Sequence, residues 1–562
     1  MIKTYIIQTV CCVVMLVAGL SCSSDDNADD PELIVGKDQL SFGKGENTQK
    51  FAIKTNVDWQ VSSSEAWCIL SPTSGSAGTH QIEVSVMANP DTDPRTATIT
   101  VNAGGMAEQV AVSQSATELL KLTQTEYEIS ADGGIVVVEY EVSSEPRITI
   151  SDSWIRETTV SRAVSTGTLS LEVEANGTIL ERTGTIVFVV GELTETVTLV
   201  QAAQDVYIEA DATDMDSDAL ALAQQMGIGW NLGNSLEACN GVDSASETSW
   251  GNPVTTQGLI DAVKAAGFNT VRIPCAWSGY IEDQSTYRIK DSWLARVKEV
   301  VDYCVSNDMY AIINIHWDGG WLENNPFYDK QKEVNEKQEA LWKQIAVYFR
   351  DYDEHLLFAG TNEVHADYGT PTSEYIEVQH SYNQTFVDVV RGTGGRNAYR
   401  NLIVQAYNTN ITYAIEYLKM PEDPTTDRLM AEVHYYDPYE FCLDESSSKY
   451  LWGSQRYSGT HLVTWGNEDW ADEAFGLMKT HFVDKGIPVV IGEYGAILRT
   501  SPSEAVEARN YYLNYVTRAM LRNGCVPVYW DNGGTGNYGF GLFNRNTYEQ
   551  VHPDAIKAIM DN

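Results

Sequence analysis

Eight short apolar runs, separated by longer amphipathic stretches, fill residues 205–562 and constrain the chain more than any other feature. They are Ile228–Asn234, Asn269–Pro274, Met309–His316, Leu356–Asn362, Asn401–Ala406, Leu429–His434, Pro488–Glu493 and Val526–Trp530. Runs this short and this uniformly apolar read as parallel strands buried on both faces. The segments Leu259–Ala266, Trp293–Ser306, Gln338–Phe349 and Ser503–Arg522 between them have helical patterning. Eight β/α units predict a (β/α)8 TIM barrel, with loop insertions, over 205–562. Polar residues gather at the strand ends: Arg272, His316, Asn362, Glu363, His434, Tyr436, Glu493 and Trp530. A doubly buried strand needs a reason to carry charge, and strand C-termini form the active face of such a barrel.

A different pattern precedes the barrel. Trp67, Asn89, Arg95, Ile99 and Gln114 recur as Trp154, Asn176, Arg182, Ile186 and Gln201, each at an offset of 87 (154 − 67, 176 − 89, 182 − 95, 186 − 99, 201 − 114). Each copy alternates apolar and polar residues between Gly, Asn and Asp, which predicts two all-β immunoglobulin-like sandwiches, at 32–116 and 117–204. The shared Trp, the Asn-x5-Arg spacing and the closing Val-Ser-Gln-Ser or Val-Gln-Ala-Ala resemble BACON domains. That resemblance implies either a glycan-binding module or a spacer. The absence of a catalytic constellation, with Trp67 and Trp154 read as core residues, favours the spacer.

The N-terminus reads as an address. Lys3 precedes an apolar stretch from Val10 to Leu20, too short for a comfortable membrane span. It ends in Gly-Leu-Ser-Cys22 followed by Ser-Ser-Asp-Asp. This resembles a bacterial lipoprotein signal over 1–22, with Cys22 the lipidated residue, and the acidic run resembles the surface-export signal of Bacteroidetes lipoproteins. The implied location is the outer-membrane surface of a Gram-negative bacterium, held by a lipid anchor; a simple secretory signal would make the protein secreted or periplasmic. The remaining six cysteines form no CxxC pair and are expected to be mostly buried thiols. Asp and Glu outnumber Lys and Arg by 78 to 37, and a net charge of −41 excludes nucleic acid as a natural partner. No metal-ligand cluster or cofactor motif stands out, and the chain is expected to work as a monomer without either.

Glu363 and Glu493 end the fourth and seventh strands, facing each other across the barrel mouth. Two carboxyls about 5 Å apart are what retaining glycoside cleavage requires. The motifs Val-Arg-Ile-Pro274, Asn-Ile-His-Trp317, Gly-Thr-Asn-Glu363, Val-His-Tyr-Tyr436, Ile-Gly-Glu-Tyr-Gly495 and Val-Tyr-Trp-Asp531, in this order, resemble glycoside hydrolase family 5. The resemblance covers nearly all of 205–562. It implies Glu363 as general acid/base and Glu493 as nucleophile, with Arg272 and Tyr436 bonding Glu493. It further implies Asn362 at the sugar 2-hydroxyl, His316 and His434 orienting the acid/base, and Trp530 under the reacting sugar. Glu363 is expected to have a raised pKa and Glu493 to stay charged. Gly-Trp-Asn-Leu-Gly-Asn234, His-Trp-Asp-Gly-Gly-Trp321 and His-Tyr-Tyr-Asp-Pro-Tyr439 resemble subfamily 4 of that family. They imply a β-1,4-glucan substrate, xyloglucan and mixed-linkage glucan among the candidates. Asn234 is then a sugar contact, and Trp317, Trp321 and Tyr439 are either subsite walls or packing. A mannanase or xylanase of the same fold, and a non-catalytic glycan-binding lipoprotein, remain open alternatives.

Overall fold

The computed structural model describes residues 30–161 and 165–561; the signal segment and Cys22 lie outside the described residues. The described chain divides into two compact units, the N-terminal sheets and the C-terminal barrel.

The N-terminal unit contains the duplication as structure. In the first copy, strands 33–35, 47–55, 78–86 and 68–71 make one sheet, and 39–42, 106–114, 95–103, 59–63 and 74–75 the other. In the second copy the strands 134–142, 165–173, 182–190 and 193–201 repeat 47–55, 78–86, 95–103 and 106–114 at the same offset of 87. The repeated Asn and Gln residues are buried for a structural reason. Asn89 donates to the carbonyls of Asp93 and Ser115, and Asn176 to those of Leu180 and Ala202. Arg95 Nε donates to Gln114 Oε1 at 2.9 Å, and Arg182 Nε to Gln201 Oε1 at 2.8 Å. Each amide satisfies backbone groups at the end of a sandwich, where an unpaired buried carbonyl would cost about 1–3 kcal/mol. Trp67 is only partly buried, with the Arg95 guanidinium 4.4 Å over its ring. The fully buried tryptophan of the first sandwich is Trp59.

All eight predicted barrel strands form. They are β1 (Gly229–Asn231), β2 (Thr270–Ile273), β3 (Tyr310–Asn314), β4 (Leu356–Ala359), β5 (Leu402–Gln405), β6 (Leu429–Tyr435), β7 (Val489–Tyr494) and β8 (Cys525–Tyr529). They close in sequence order, each pairing parallel to its neighbours. Helix α1 (Ala219–Met226) precedes β1, starting at Asp218, whose side chain caps the Ala221 N–H. The helices α2 (Gln257–Ala265), α3 (Asp291–Val305), α4 (Tyr328–Tyr348) and α5 (Ser373–Arg391) follow the first four strands. Helix α4 begins ten residues before the predicted Gln338 (338 − 328), because its first turns are polar and carry no apolar stripe to read.

Strand alternation builds two cores. One face of each strand, including Val271, Ile313, Phe358, Val404, Val433 and Ile491, packs outward against the helices. The opposite face fills the barrel. Ile312, Leu357, Ile403, Met430, Val490 and Val528 form an apolar floor, closed by Leu222 and Met226 of α1. Two residues further along β3, β5 and β6 the interior turns polar, at Asn314, Gln405 and Glu432, joined by Asn231 and Arg272. All five are fully buried. Polar groups survive there only if they bond one another, and those bonds define the site.

Candidate active site

A bulge aims the first carboxylate. Between β6 and β7, Val433 pairs with Ile491 but His434 pairs with Glu493, so Gly492 is passed over. Such a slip turns the following side chain, and it brings Glu493 to the same face as His434. Gly492 itself leaves no room for a side chain, since a Cβ there would lie 1.9 Å from Glu432 Oε1. Glu493 is then held twice: Arg272 Nη1 donates to Oε1 at 3.0 Å and Tyr436 Oη to Oε2 at 2.9 Å. These are the two partners expected from the sequence.

Arg272 spans the barrel interior. Beyond Glu493 it donates from Nη1 to Asn231 Oδ1 and from Nη2 to Asn362 Oδ1, and its Nε lies 3.1 Å from Glu432. Replacing Arg272 by Met leaves Glu432 and Glu493 buried without their main cation. We expect a loss of about 3–5 kcal/mol in barrel stability, measured by denaturant unfolding.

Glu363 follows β4, tethered by His365, whose ring Nδ1 sits 2.6 Å from the Glu363 carbonyl oxygen. Its carboxyl is about a third exposed, whereas that of Glu493 is 7 % exposed. His434 Nδ1 lies 2.6 Å from Glu363 Oε1 and 3.8 Å from Glu493 Oε2. One oxygen of each glutamate and a ring nitrogen of His434 all fall within 4.8 Å of one another. Two cations, Arg272 and a protonated His434, already neutralise this group, which makes it a proton-handling centre and a poor metal cage.

Electrostatics corrects one expectation. Burial pushes Glu363 up, but the His434 bond and charge, with Arg272, outweigh it and hold the carboxyl below its usual range. Glu493 is raised by burial and by Glu363, against the pull of His434, Arg272 and Tyr436. Burial alone would lower His434; Glu493, Glu363 and Glu432 instead push it up to about 10. The proton that the sequence reading places on Glu363 is therefore shared with His434 in the free protein.

The cleft above this centre has a volume of about 690 Å³ and is lined by Glu363, His434, Tyr436, Glu493, Trp530, Tyr439 and Tyr368, among others. Arg272 and Asn362 lie beneath it. His316 does not reach Glu363 as expected; its ring stacks on Trp530, centroids 5.8 Å apart and planes 7° apart. Burial, Arg272 and His434 hold His316 well below the usual imidazole range, so it is a neutral prop. Trp321 belongs to the packing: its Nε1 donates to Asp318 at 2.7 Å and Lys337 Nζ sits 4.3 Å over its ring. Trp317 is 38 % exposed, and neither it nor Asn234 lines this cleft. Tyr439 does, at 61 % exposure.

Two carboxyls of the site went unread in the sequence. Glu323 accepts the Trp317 N–H at 2.6 Å and is pushed up to about 7 by burial and by Glu363. Glu432 lies mid-strand in β6, and that position was its signal, since a carboxylate inside a buried parallel strand always needs a partner.

The chain resembles known proteins throughout. Residues 237–536 match the family model described as Cellulase (glycosyl hydrolase family 5). Residues 32–117 match the Viral BACON domain model and 140–202 a BACON model described as a putative N-terminal binding domain. A xyloglucan-specific endo-β-1,4-glucanase of Bacteroides ovatus is 40 % identical over 456 residues, covering 77 % of this chain and 89 % of that protein. Endoglucanase A of Paenibacillus barcinonensis is 41 % identical over 372 residues, covering 63 % and 92 %. Among solved structures, a Bacteroides ovatus family 5 xyloglucanase in complex with a XXXG heptasaccharide aligns with a TM-score of 0.61 at 34 % identity, covering 94 % of this chain and 99 % of that one. With the barrel, the paired carboxyls and these matches in hand, the chain belongs to glycoside hydrolase family 5.

Proposed function

We propose that the protein is a retaining endo-β-1,4-glucanase that cleaves β-glucan backbones, with xyloglucan the first substrate to test. The observation that carries this reading is that one carboxyl oxygen of Glu363 and one of Glu493 lie within 4.8 Å of each other, each carboxyl held by a different set of partners. Inverting enzymes need about 6.5–9.5 Å to admit a water between the carboxyls, and retaining ones about 5 Å. Family 5 membership and the named glucanase relatives support the substrate class.

In the first step a Glu493 oxygen attacks the anomeric carbon as the glycosidic C–O bond breaks. The departing oxygen takes the proton held by Glu363 and His434. In the second step Glu363 removes a proton from water, whose oxygen displaces Glu493 and restores it. Arg272 and Tyr436 stabilise the carboxylate each time it is free. Asn362, with its Oδ1 fixed by Arg272, presents its amide N–H to the sugar 2-hydroxyl, and Trp530 underlies the reacting ring. Tyr439 and Tyr368 wall the cleft beyond it.

The test is incubation with xyloglucan, mixed-linkage glucan, carboxymethylcellulose, mannan and xylan, reading reducing ends and the first-formed anomer by proton NMR. We expect glucan cleavage and the β-anomer first. The α-anomer first would overturn retention; release from mannan or xylan alone would reassign the substrate; no release from any would leave a binding protein. The Cys22 motif supports a lipid-anchored protein at the cell surface. Replacing Cys22 by Ala is expected to move it from the membrane fraction to the soluble fraction.

A further inference from the structure

The three groups Glu363, His434 and Glu432 stand in a line. His434 Nδ1 lies 2.6 Å from Glu363 Oε1, and His434 Nε2 lies 3.2 Å from Glu432 Oε1. A neutral imidazole has one N–H and one lone pair, so it cannot donate to two carboxylates at once. The orientation of Glu432 settles where the protons lie. Gln405 Oε1 accepts from both the Thr361 N–H and the Thr361 hydroxyl, at 3.1 and 2.8 Å, which fixes the amide and turns Nε2 toward Glu432 Oε2 at 2.7 Å. Arg272 Nε lies 3.1 Å from Oε1. Glu432 Oε2 thus accepts an amide hydrogen while Oε1 forms an ion pair with the Arg272 guanidinium without a hydrogen bond from Nε, and the carboxyl is fully buried. An ionised Glu432 keeps the hydrogen on His434 Nε2. The facing pair of Nδ1 and Glu363 must then hold one further proton, on the nitrogen or on the oxygen, because a bare lone pair 2.6 Å from a carboxylate would be repelled.

We propose that Glu432 is a positioning residue for the acid step: it selects the His434 form protonated at Nε2 and so stores, on the His434–Glu363 pair, the proton delivered to the leaving group. It touches no substrate and acts only through His434 and Arg272. The titratable and charged groups facing the trio are Arg272 from β2, His316 and Glu323 beyond β3, His365 beyond β4, the neutral Tyr436 beyond β6 and Glu493 from β7; Gln405 on β5 is neutral. On proton delivery the glycosidic oxygen gains the hydrogen, the pair is left as a Glu363 carboxylate beside a neutral His434, and His434 keeps its Nε2 hydrogen throughout. This inference rests on the acid/base reading of Glu363.

The test uses the full chain. Glu432→Gln removes one negative charge beside His434, so both His434 and Glu363 release their shared proton more readily. The alkaline limb of the kcat/KM profile on glucan is expected to move down by about one pH unit. We expect kcat to fall about 10- to 100-fold with KM within about two-fold of wild type. Glu432→Asp, which keeps the charge, should return the limb toward wild type. In wild-type protein labelled with 15N-histidine, His434 Nε2 should carry its hydrogen from about pH 5 to pH 9. A folded Glu432→Gln protein with an unmoved alkaline limb would overturn the proposal, and so would an unprotonated Nε2 in the wild type at pH 7. The nitrogen measurement needs neither substrate nor variant, so its outcome is separate from that of glucan hydrolysis.

Discussion

Glu493→Ala is expected to lose hydrolysis on the order of 10⁴- to 10⁶-fold while keeping the fold. In the proposed mechanism a Glu493 oxygen bonds the anomeric carbon, and no other described carboxyl is placed to replace it. In that mechanism Glu363 serves the leaving group, and Glu432 is fully buried against Arg272 and His434. The fold survives because Arg272 retains Glu432, Asn231 and Asn362 as partners. Circular dichroism and the unfolding midpoint should stay near wild type. Added azide can occupy the vacated space and attack from the same face, giving an α-glycosyl azide from a β-linked aryl glycoside. Turnover near wild type in this variant would remove the nucleophile assignment.

Glu363→Ala is expected to behave differently, and the difference separates the two roles. Glucan hydrolysis should fall about 10²- to 10⁴-fold, the usual worth of general acid–base catalysis. An aryl glycoside with an acidic phenol as leaving group needs no proton, so its first step should stay fast. The glycosyl-enzyme should then accumulate, because nothing deprotonates water, and a burst of phenol should precede a slow steady state. Azide now intercepts the covalent intermediate from the opposite face and yields the β-glycosyl azide. Equal losses on both substrates, or an α-azide, would show that Glu363 is not the acid/base. His434 would be left beside an alanine, and its raised proton affinity should drop, since Glu363 is one of three carboxylates that sustain it.

Much of this site was legible before any coordinates. Arg272, Glu363, His434, Tyr436 and Glu493 stand at strand ends, where an otherwise apolar run turns polar, and strand ends converge in a barrel whatever the loops do. The 87-residue offset likewise announced the two sandwiches, because residues that satisfy backbone groups at a sandwich end must recur at the same register. Aromatic residues were harder to place. Trp321 and Trp317 share one short motif, yet one packs under Lys337 and the other is exposed. Their direction depends on a loop in which Trp317 and Asp318 take positive φ, a local turn that no periodicity announces.

Glu432 and His316 mark the boundary between the two sources of information. The sequence by itself determined the barrel and the duplicated sandwiches, because both follow from spacing along the chain, and its ordered motifs, by their resemblance to glycoside hydrolase family 5, singled out Glu363 and Glu493 as the candidate carboxyls. The tertiary structure alone decided which charge belongs to which group. Glu363 has a lowered proton affinity because a histidine from β6 lies 2.6 Å away and Arg272 from β2 adds its charge. His316, stacked on Trp530, is neutral because burial and the charges of Arg272 and His434 hold its proton affinity well below the usual imidazole range. Proton affinity is a sum over neighbours brought together from different strands, weighted by burial, and neither quantity is written in the order of the residues.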